Sequence, residues 1–408
     1  MTDNRLLGAD FMRAAACLIV LFHHLAQRMN ARVNFEWLDW FEVFAQIGTF
    51  GVAMFFVLSG FLLARPFWSA LDAGQPVPSI RTYALRRAAR ILPGFWLALT
   101  VTFVLSITAF GIQPDLQLWL RYVAGFLLVA DWHWITLFPV EINGPLWSIS
   151  FEVTSYVLLP FGLAALFLLR GATGRGIQSR VLWLAVIGIA LALHWVFVNY
   201  YPIDDEGRDW SRGLIGGAKY WMPRFNPFAF FAMFAVGSLA AGLQVMLARR
   251  RSLLFDLLSL AGLALMVWRL MVQARARGTE GYGWLDVPYG FPWFELSAAL
   301  VLAVTPSSVF VGRILDNPLT RYLAQISFGI YVWHYLVMDL VKVAWAPNFA
   351  NFRMTDLTQF VVVSLVVCGI TALIAHLSYR WLEKPVIDWA RGRERRPVES
   401  PTLSPAAG

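Results

Sequence analysis

Long apolar segments recur along the whole chain, and they constrain its fold more than any other feature of the sequence. About ten of them have a length of roughly 18 to 25 residues, enough to cross a hydrocarbon core of about 30 Å as a helix. We predict spans near 8–28, 43–65, 92–111, 146–169, 182–199, 226–246, 253–272, 293–311, 321–343 and 359–381. Only 14% of the 408 residues are charged, whereas 59% are hydrophobic, which is unlike a soluble domain of this size. The sequence therefore predicts an all-α, polytopic integral membrane bundle.

Positive charge in the loops predicts the orientation of the chain. The net charge of +8 arises from basic residues in short loops, so it indicates topology and contact with anionic lipid and not nucleic acid. The loop after the second span is strongly basic and should face the cytoplasm. If the apolar stretch 116–136, which contains Arg121, also spanned, the later basic clusters would fall outside. We therefore interpret 116–136 as a re-entrant or interfacial segment, and we expect both termini on the cytoplasmic side of a bacterial inner membrane.

The chain shows no internal repeat and no separate soluble domain. We expect one membrane domain over residues 1–390 and a disordered cytoplasmic tail over 391–408, which is basic and then rich in Pro, Ser and Ala. The two cysteines lie inside apolar runs and the six histidines are dispersed. We therefore expect no metal site and no tightly bound cofactor.

Ionisable side chains lie inside the first predicted span, where charge is costly and often marks a functional site. Arg13 and His24 are three helical turns apart and share one helix face, separated by about 16 Å in depth, whereas His23 points away from that face. Arg13, near the cytoplasmic end, suits a phosphate or a carboxylate. His24 lies deeper, where a neutral imidazole can act as a general base. The alternative is a snorkelling arginine and a hydrogen-bonded packing histidine.

These residues open a series of segments that resembles the membrane-bound acyltransferase family 3, integral-membrane O-acyltransferases of surface polysaccharides and related acceptors. LGADFMRAAACLIVLFHH is similar to the family's first motif, an Arg separated by ten residues from a His, and its register selects His24 over His23. Further family-like segments follow in order: GVAMFFVLSGFLLAR, YALRRAARILPGFW, NGPLWSISFEVTSYVLLP, ISFGIYVWH and LSYRWLEKP. The resemblance covers about 8–388.

The resemblance implies transfer of an acyl group, expected to be acetyl, from acyl-CoA to a hydroxyl of a saccharide or a lipid-linked saccharide. His24 would act as general base, and Arg13 would hold the donor. Glu152 is expected to contribute a third catalytic side chain, and a buried carboxylate there needs a partner. The candidates for that partner are His24, Arg121 and Arg224.

Two further groups of residues are assigned to the substrates. Arg86, Arg87 and Arg90 are expected on a short helix before a span that begins at Pro93, where they could hold the phosphates of coenzyme A. The same cluster could equally anchor the chain on anionic lipid. Side chains expected near the acceptor are Trp147, Ser148, Tyr156, Arg224, Tyr331 and His334.

Several alternatives remain open from the sequence. Ser59-Gly60 is more typical of close helix packing than of a nucleophile. A proton-coupled transporter or exporter of a lipid-linked saccharide, with His24 and Glu152 relaying protons, is the alternative function, although the paired halves typical of such folds are not visible. An inactive scaffold is a third possibility. For a transferase, we expect a continuous or nearly continuous cavity that joins a donor mouth at Arg13 to an acceptor mouth on the outer side. It should be lined by spans one, two and four, wide near the cytoplasm and narrow at His24.

Overall fold

The computed structural model describes residues 6–30, 43, 47–169, 176–276 and 280–394. These residues fold into helices, and no strand is found among them. The α-helices are α1 (Ala9–Ala26), α2 (Phe50–Asp72), α3 (Ile80–Thr108), α4 (Leu116–Phe126), α5 (Trp147–Leu168), α6 (Ile177–Tyr200), α7 (Gly213–Trp221), α8 (Pro227–Leu247), α9 (Leu253–Ala276), α10 (Trp293–Val304), α11 (Val311–Leu315), α12 (Pro318–Ala344), α13 (Leu357–Ser378) and α14 (Lys384–Glu394).

Nine helices of the described part are long and apolar enough to cross a membrane. They correspond to nine of the predicted spans. The remaining prediction, 293–311, falls on α10, which has 12 residues and is therefore only about 18 Å long. A 3-10 turn over Thr305–Ser307 extends it. The chain is thus an all-α, multi-pass membrane protein, as the sequence predicted.

The basic segment and the third span form one continuous helix. α3 is capped at its N-terminus by Ser79, whose side chain accepts a hydrogen bond from the backbone of Thr82 at 3.3 Å, and Pro93 lies inside the helix. The prediction of a separate short helix followed by a span that begins at Pro93 is therefore wrong. A proline removes one backbone hydrogen bond, but packing against neighbouring helices in a membrane bundle can keep the helix continuous at that position.

The apolar stretch 116–136 does not cross the membrane as a helix. Its helical part, α4, has 11 residues and a length of about 16 Å, which is too short to span. Arg121 is buried and clamps the following loop, because its Nε and Nη2 donate to the carbonyl oxygens of Phe138 at 2.6 Å and Val140 at 3.0 Å. The same guanidinium pairs with Glu141. The interpretation of 116–136 as a non-spanning segment is confirmed.

Glycines allow α2 to pack closely against α8. A Cβ atom added at Gly60 would lie 1.9 Å from the carbonyl oxygen of Phe234, and one at Gly237 would lie 1.9 Å from that of Val57. Both distances are far below van der Waals contact, so only glycine fits at this crossing. The packing interpretation of the Ser59-Gly60 pair therefore holds for Gly60.

The last described helix continues further towards the C-terminus than expected. α14 continues to Glu394, so the first four residues assigned to a disordered tail over 391–408 are helical. Arginines near the C-terminus of a helix interact favourably with its dipole, and Arg391 and Arg393 lie there. The rest of the predicted tail lies outside the described residues.

Asp131, in the loop after α4, is a fully buried carboxyl group. Its Oδ2 accepts a hydrogen bond from Thr154 at 2.7 Å, whereas its Oδ1 has no partner in the part of the chain that the structure describes. Burial raises the pKa of Asp131 from 3.8 to about 6. The folded protein therefore holds this proton more tightly than the unfolded chain does.

This shift predicts that the folded state loses stability as the pH rises from 3.8 to about 6. We expect Asp131→Asn to raise the free energy of unfolding at neutral pH by up to about 3 kcal/mol. The gain should shrink as the pH falls through the same window. Thermal midpoints in detergent across this pH range measure the effect, with the exposed Asp205→Asn as the control. An equal gain at pH 4 and at pH 8 would contradict the assignment.

The topology can be tested independently of any chemistry. Asp205 and Arg250 lie beyond opposite ends of α8, and the basic loop that contains Arg250 is expected in the cytoplasm. In a background with Cys17 and Cys368 replaced by serine, a cysteine at position 250 should react with a membrane-impermeant label only from the cytoplasm. A cysteine at position 205 should react only from the outside. Labelling of position 250 in intact cells would reverse the proposed orientation.

Candidate active site

A pocket with about 760 Å³ of empty space, its open mouth included, lies between α1, α2, α3, α5 and α12. Arg13 from α1 faces it together with Arg87 and Arg90 from α3. Arg87 and Arg90 share one face of α3 because they are three residues apart. Arg86 is exposed and does not line the pocket. We name this cavity the arginine pocket; the other polar side chains in its wall are Ser59, Ser148, Glu152, Tyr156, Ser327 and Tyr331.

The three guanidinium groups of the arginine pocket differ in their partners. Nη1 of Arg90 lies 3.8 Å from Oε2 of Glu383, a fully buried carboxylate that also accepts a hydrogen bond from Ser378 at 3.3 Å. Arg13 and Arg87 form no hydrogen bond or ion pair with any residue that the structure describes. Two guanidiniums without partners on a pocket wall are suited to bind an anion.

Glu152, which also lines the arginine pocket, belongs to a hydrogen-bonded network. Its Oε1 accepts a hydrogen bond from Ser59 at 2.9 Å and a short one from Tyr156, one helical turn further along α5. The backbone oxygen of Tyr156 in turn accepts from Tyr83 of α3 at 2.9 Å. The network joins α2, α3 and α5, and its carboxylate faces the same cavity as Arg13.

The partners expected for Glu152 are not the ones it has. Arg121 is occupied by the loop that it clamps, and Nε of Arg224 lies 3.3 Å from Oδ2 of Asp286. His24 lies at the far end of α1 and is hydrogen-bonded elsewhere. The prediction was wrong because the partners of a buried carboxylate depend on how its helix is rotated against the neighbouring helices. The boundaries of a span do not determine that rotation.

His24 lies in the last turn of α1 and is half-buried. Its Nδ1 is 3.0 Å from Oε1 of Gln27. Because an amide oxygen only accepts hydrogen bonds, this contact fits the tautomer protonated at Nδ1, in which Nε2 carries the lone pair. The imidazole ring contacts three other rings, with centroid distances of 4.6 Å to His23, 5.2 Å to His334 and 5.0 Å to Tyr335. We name these four side chains the histidine cluster; in that tautomer, Nε2 of His24 is the nitrogen that can accept a proton.

α12 connects the arginine pocket to the histidine cluster. His334 is buried, and its Nδ1 donates to the carbonyl oxygens of Tyr331 at 2.8 Å and Ile330 at 3.1 Å. The ring of Tyr331, which lines the pocket, lies 6.0 Å from the ring of His334. The hydroxyl group of Tyr331 is 2.6 Å from Oγ of Ser148. The rings of Tyr331 and His334 thus lie between the pocket and His24.

The expected cavity is present in part. The arginine pocket contains Arg13 and is lined by the first, second and fourth spans as predicted, with α3 and α12 in addition. Its lining ends at Tyr331 and does not include His24. His24 is not sealed in apolar packing, because polar rings surround it and part of its surface is exposed. Among the described residues, the packed rings of Tyr331 and His334 lie between the arginine pocket and His24.

Trp147, which the sequence analysis expects near the acceptor, lies among other aromatic rings. Its side chain is 5% exposed and packs into an aromatic cluster. Ring centroids lie at 5.2 Å from Trp221, 5.6 Å from Phe225 and 5.5 Å from Phe230. Arg224 stacks over the ring of Tyr282 at 4.9 Å. These contacts pack the loop before α8 against α5. Trp147 therefore contributes to the packing between the two.

Gln27 is a residue of the site that the sequence analysis missed. It follows His24 by three residues, a spacing that places two side chains side by side on a helix. That spacing was a usable signal, because a neutral imidazole requires a partner that fixes its tautomer.

The family model for the acyltransferase domain of acyltransferase family 3 matches residues 6–376. The chain is 24% identical over 400 residues to the O-acetyltransferase OatA of Staphylococcus aureus (strain NCTC 8325), an alignment that covers 93% of this chain and 57% of that protein. It is 23% identical over 389 residues to the peptidoglycan O-acetyltransferase OatA of Listeria monocytogenes, with 92% of this chain and 55% of that protein covered. The chain therefore spans little more than half the length of these relatives.

The extent of the family match decides the classification. It begins before α1 and reaches into α13, so it includes every helix that lines the arginine pocket and both ends of α1. The chain belongs to acyltransferase family 3.

Proposed function

We propose that this protein is an acyl-CoA-dependent O-acyltransferase that moves an acetyl group to a hydroxyl group of a saccharide. The observation that carries the proposal is the position of two side chains on α1. Arg13, which has no partner among the described residues, lies in a cationic pocket at one end, and the imidazole of His24 lies at the other. The relatives support the reaction and the acceptor, since they are named O-acetyltransferases and one is named a peptidoglycan O-acetyltransferase.

The arginine pocket is proposed to hold the donor. Arg13 and Arg87 would bind the phosphate groups of coenzyme A through charge-assisted, bidentate hydrogen bonds. Arg90, held by the buried Glu383, adds a fixed positive charge to the same wall. The Glu152 network would hold α2, α3 and α5 together at the pocket. Its carboxylate would limit the net positive charge of the pocket. The pantetheine arm would have to displace the packed rings of Tyr331 and His334 to reach the histidine cluster.

His24 is proposed to activate the acceptor. Nε2 of His24 would take the proton of the acceptor hydroxyl group as its oxygen attacks the carbonyl carbon of the thioester. The tetrahedral intermediate would collapse with cleavage of the carbon–sulfur bond. The thiolate of coenzyme A would recover the proton from the imidazolium, so that an ester and free coenzyme A result. Gln27, which accepts from Nδ1, would stabilise the imidazolium between these steps.

The proposed orientation gives each substrate its own side. With both termini in the cytoplasm of a bacterial inner membrane, the beginning of α1 and the basic half of α3 face the compartment in which acyl-CoA is made. His24 then lies towards the outer side, where a surface saccharide or a lipid-linked saccharide can reach it.

Surface glycans test the function most directly. We expect mass spectrometry to detect base-labile acetyl esters on cell-wall glycan fragments from cells with this gene and to find them reduced in the deletion strain. Expression of the wild-type chain should restore them, and His24→Ala at equal protein level should not. Restoration by His24→Ala would contradict the proposal, as would a glycan profile that is unchanged by the deletion.

The donor requires a separate experiment. Purified protein in nanodiscs should release free thiol from acetyl-CoA when a soluble glycan acceptor is added. Acetyl phosphate, which carries an acetyl group without the nucleotide and the pantetheine arm, should not support transfer. Equal transfer from both donors would remove coenzyme A from the proposal while leaving acetyl transfer intact.

A further inference from the structure

A second opening lies between α9 and α10 and shares no lining residue with the arginine pocket. About 960 Å³ of empty space, part of it outside the groove proper, lies at this opening, and we name it the α9–α10 groove. Its lining residues are Leu265, Trp268, Arg269, Trp293, Leu296, Ser297 and Leu300. The two tryptophans are 55% and 56% exposed, as expected of side chains that face lipid. The groove therefore opens towards the membrane.

The groove runs between the second half of α9 and the beginning of α10, because its lining residues come from those two segments. Next to the groove the two helices are in close contact, since a Cβ atom added at Gly262 of α9 would lie 2.8 Å from the side chain of Val301. Gly290, in the loop before α10, approaches Arg269 so closely that an added Cβ atom would lie 3.1 Å from Nη2. That loop therefore contacts the guanidinium of Arg269.

Arg269 places a positive charge inside this groove. It lies about 10 Å from the end of α9 at Ala276, within the apolar part of the helix. Its Nε atom is buried without a hydrogen-bond partner, and in the described chain the guanidinium forms no hydrogen bond or ion pair. Its contact is with the ring of Trp268, 5.8 Å from Cζ. Because the hydrocarbon region offers no water, these donors require an acceptor from outside the protein.

Glu295 does not supply that acceptor. It is fully buried at the start of α10 and does not line the groove. Neither of its carboxylate oxygens has a hydrogen-bond partner among the described residues, so it does not contact Arg269. Its interaction with Arg269 is electrostatic and does not involve a direct hydrogen bond. The Nη donors of the guanidinium are therefore the ones available to a ligand in the groove.

We propose that the α9–α10 groove binds a phospholipid with a net negative headgroup, of the phosphatidylglycerol class. The phosphate would accept hydrogen bonds from Arg269, and the acyl chains would lie along Leu265, Leu296 and Leu300. Free phosphate does not fit, because the walls are apolar and the opening faces lipid. The site goes beyond the proposed acyl transfer and does not depend on it.

Native mass spectrometry tests this site. The protein is released from micelles that contain equal amounts of phosphatidylglycerol and phosphatidylcholine with identical acyl chains, and the retained lipids are counted. The wild-type chain should retain phosphatidylglycerol in preference. Arg269→Gln should lower the ratio of the two lipids by about tenfold, the effect of losing a charge-assisted contact. Arg275→Gln makes the same charge change on the exposed last turn of α9 and should leave the ratio unchanged.

Glu295→Gln distinguishes a lipid site from an internal ion pair. If the groove binds an anionic lipid, replacing this carboxyl group by an amide should maintain or increase the retention of phosphatidylglycerol. A loss equal to that of Arg269→Gln would overturn the proposal, because Arg269 would then depend on Glu295. The proposal also fails if the wild-type chain retains both lipids equally or if Arg269→Gln retains the wild-type ratio.

Discussion

Replacement of His24 by alanine is expected to reduce the rate of acyl transfer by a factor of about 10² to 10⁴, the contribution of a positioned general base. The reason is the state of the imidazole. Nδ1 of His24 lies 3.0 Å from Oε1 of Gln27, and the tautomer that donates across this contact leaves Nε2 to accept the proton of a hydroxyl group. Transfer of labelled acetyl groups to a glycan acceptor, measured at saturating acetyl-CoA, gives the rate.

His23 provides the matched control for this substitution. It is the adjacent residue with the same side chain, and its ring lies 4.6 Å from that of His24. It is buried and points away from the face that Arg13 and His24 share. We expect His23→Ala to retain most of the activity once both variants have been shown to fold by their thermal midpoints. Similar losses in two equally folded variants would remove His24 from the role of base.

Replacement of Arg13 by alanine should act on the donor. We expect the KM for acetyl-CoA to rise by about 10- to 100-fold, because a hydrogen-bonded charge pair in a desolvated pocket is lost. The kcat at saturating donor should change far less. Arg13→Lys should recover only part of the affinity, since a point charge replaces a bidentate fork.

Arg81 is the control for the arginine pocket. It lies on the exposed first turn of α3, outside the lining of the pocket. Arg81→Ala makes the same change of charge near the membrane surface, so it corrects for general electrostatic attraction of an anionic donor. A rise in KM equal to that of Arg13→Ala would indicate such attraction and not binding in the pocket.

The fold was largely predictable from the sequence because the membrane imposes one strong rule. A spanning helix must be apolar over about 20 residues, and α1, α5, α8 and α12 begin and end close to the predicted limits. The rule fails where polar residues extend a helix beyond the membrane, as in the first turns of α3. It also fails for α10, whose apolar run is continued by a 3-10 turn and a short helix.

The relative positions of site residues on one helix could be predicted from the sequence. The contacts between residues on different helices could not. The spacing of Arg13 and His24 follows from helical geometry, and the structure places them at the two ends of α1. The partners of Glu152 depend on how α2 and α5 are rotated against each other, and periodicity does not determine that rotation. Likewise, no local signal separates Arg86, which is exposed, from Arg87, which lines the pocket.

The two ends of α1 are proposed to perform separate tasks, with donor binding at Arg13 and proton transfer at His24. The decisive measurement is the dissociation constant of acetyl-CoA for the His24→Ala variant in nanodiscs. We expect this Kd to lie within about twofold of that of the wild-type chain, while Arg13→Ala weakens binding by about 10-fold or more. The two tasks would not be separate if His24→Ala bound acetyl-CoA as weakly as Arg13→Ala.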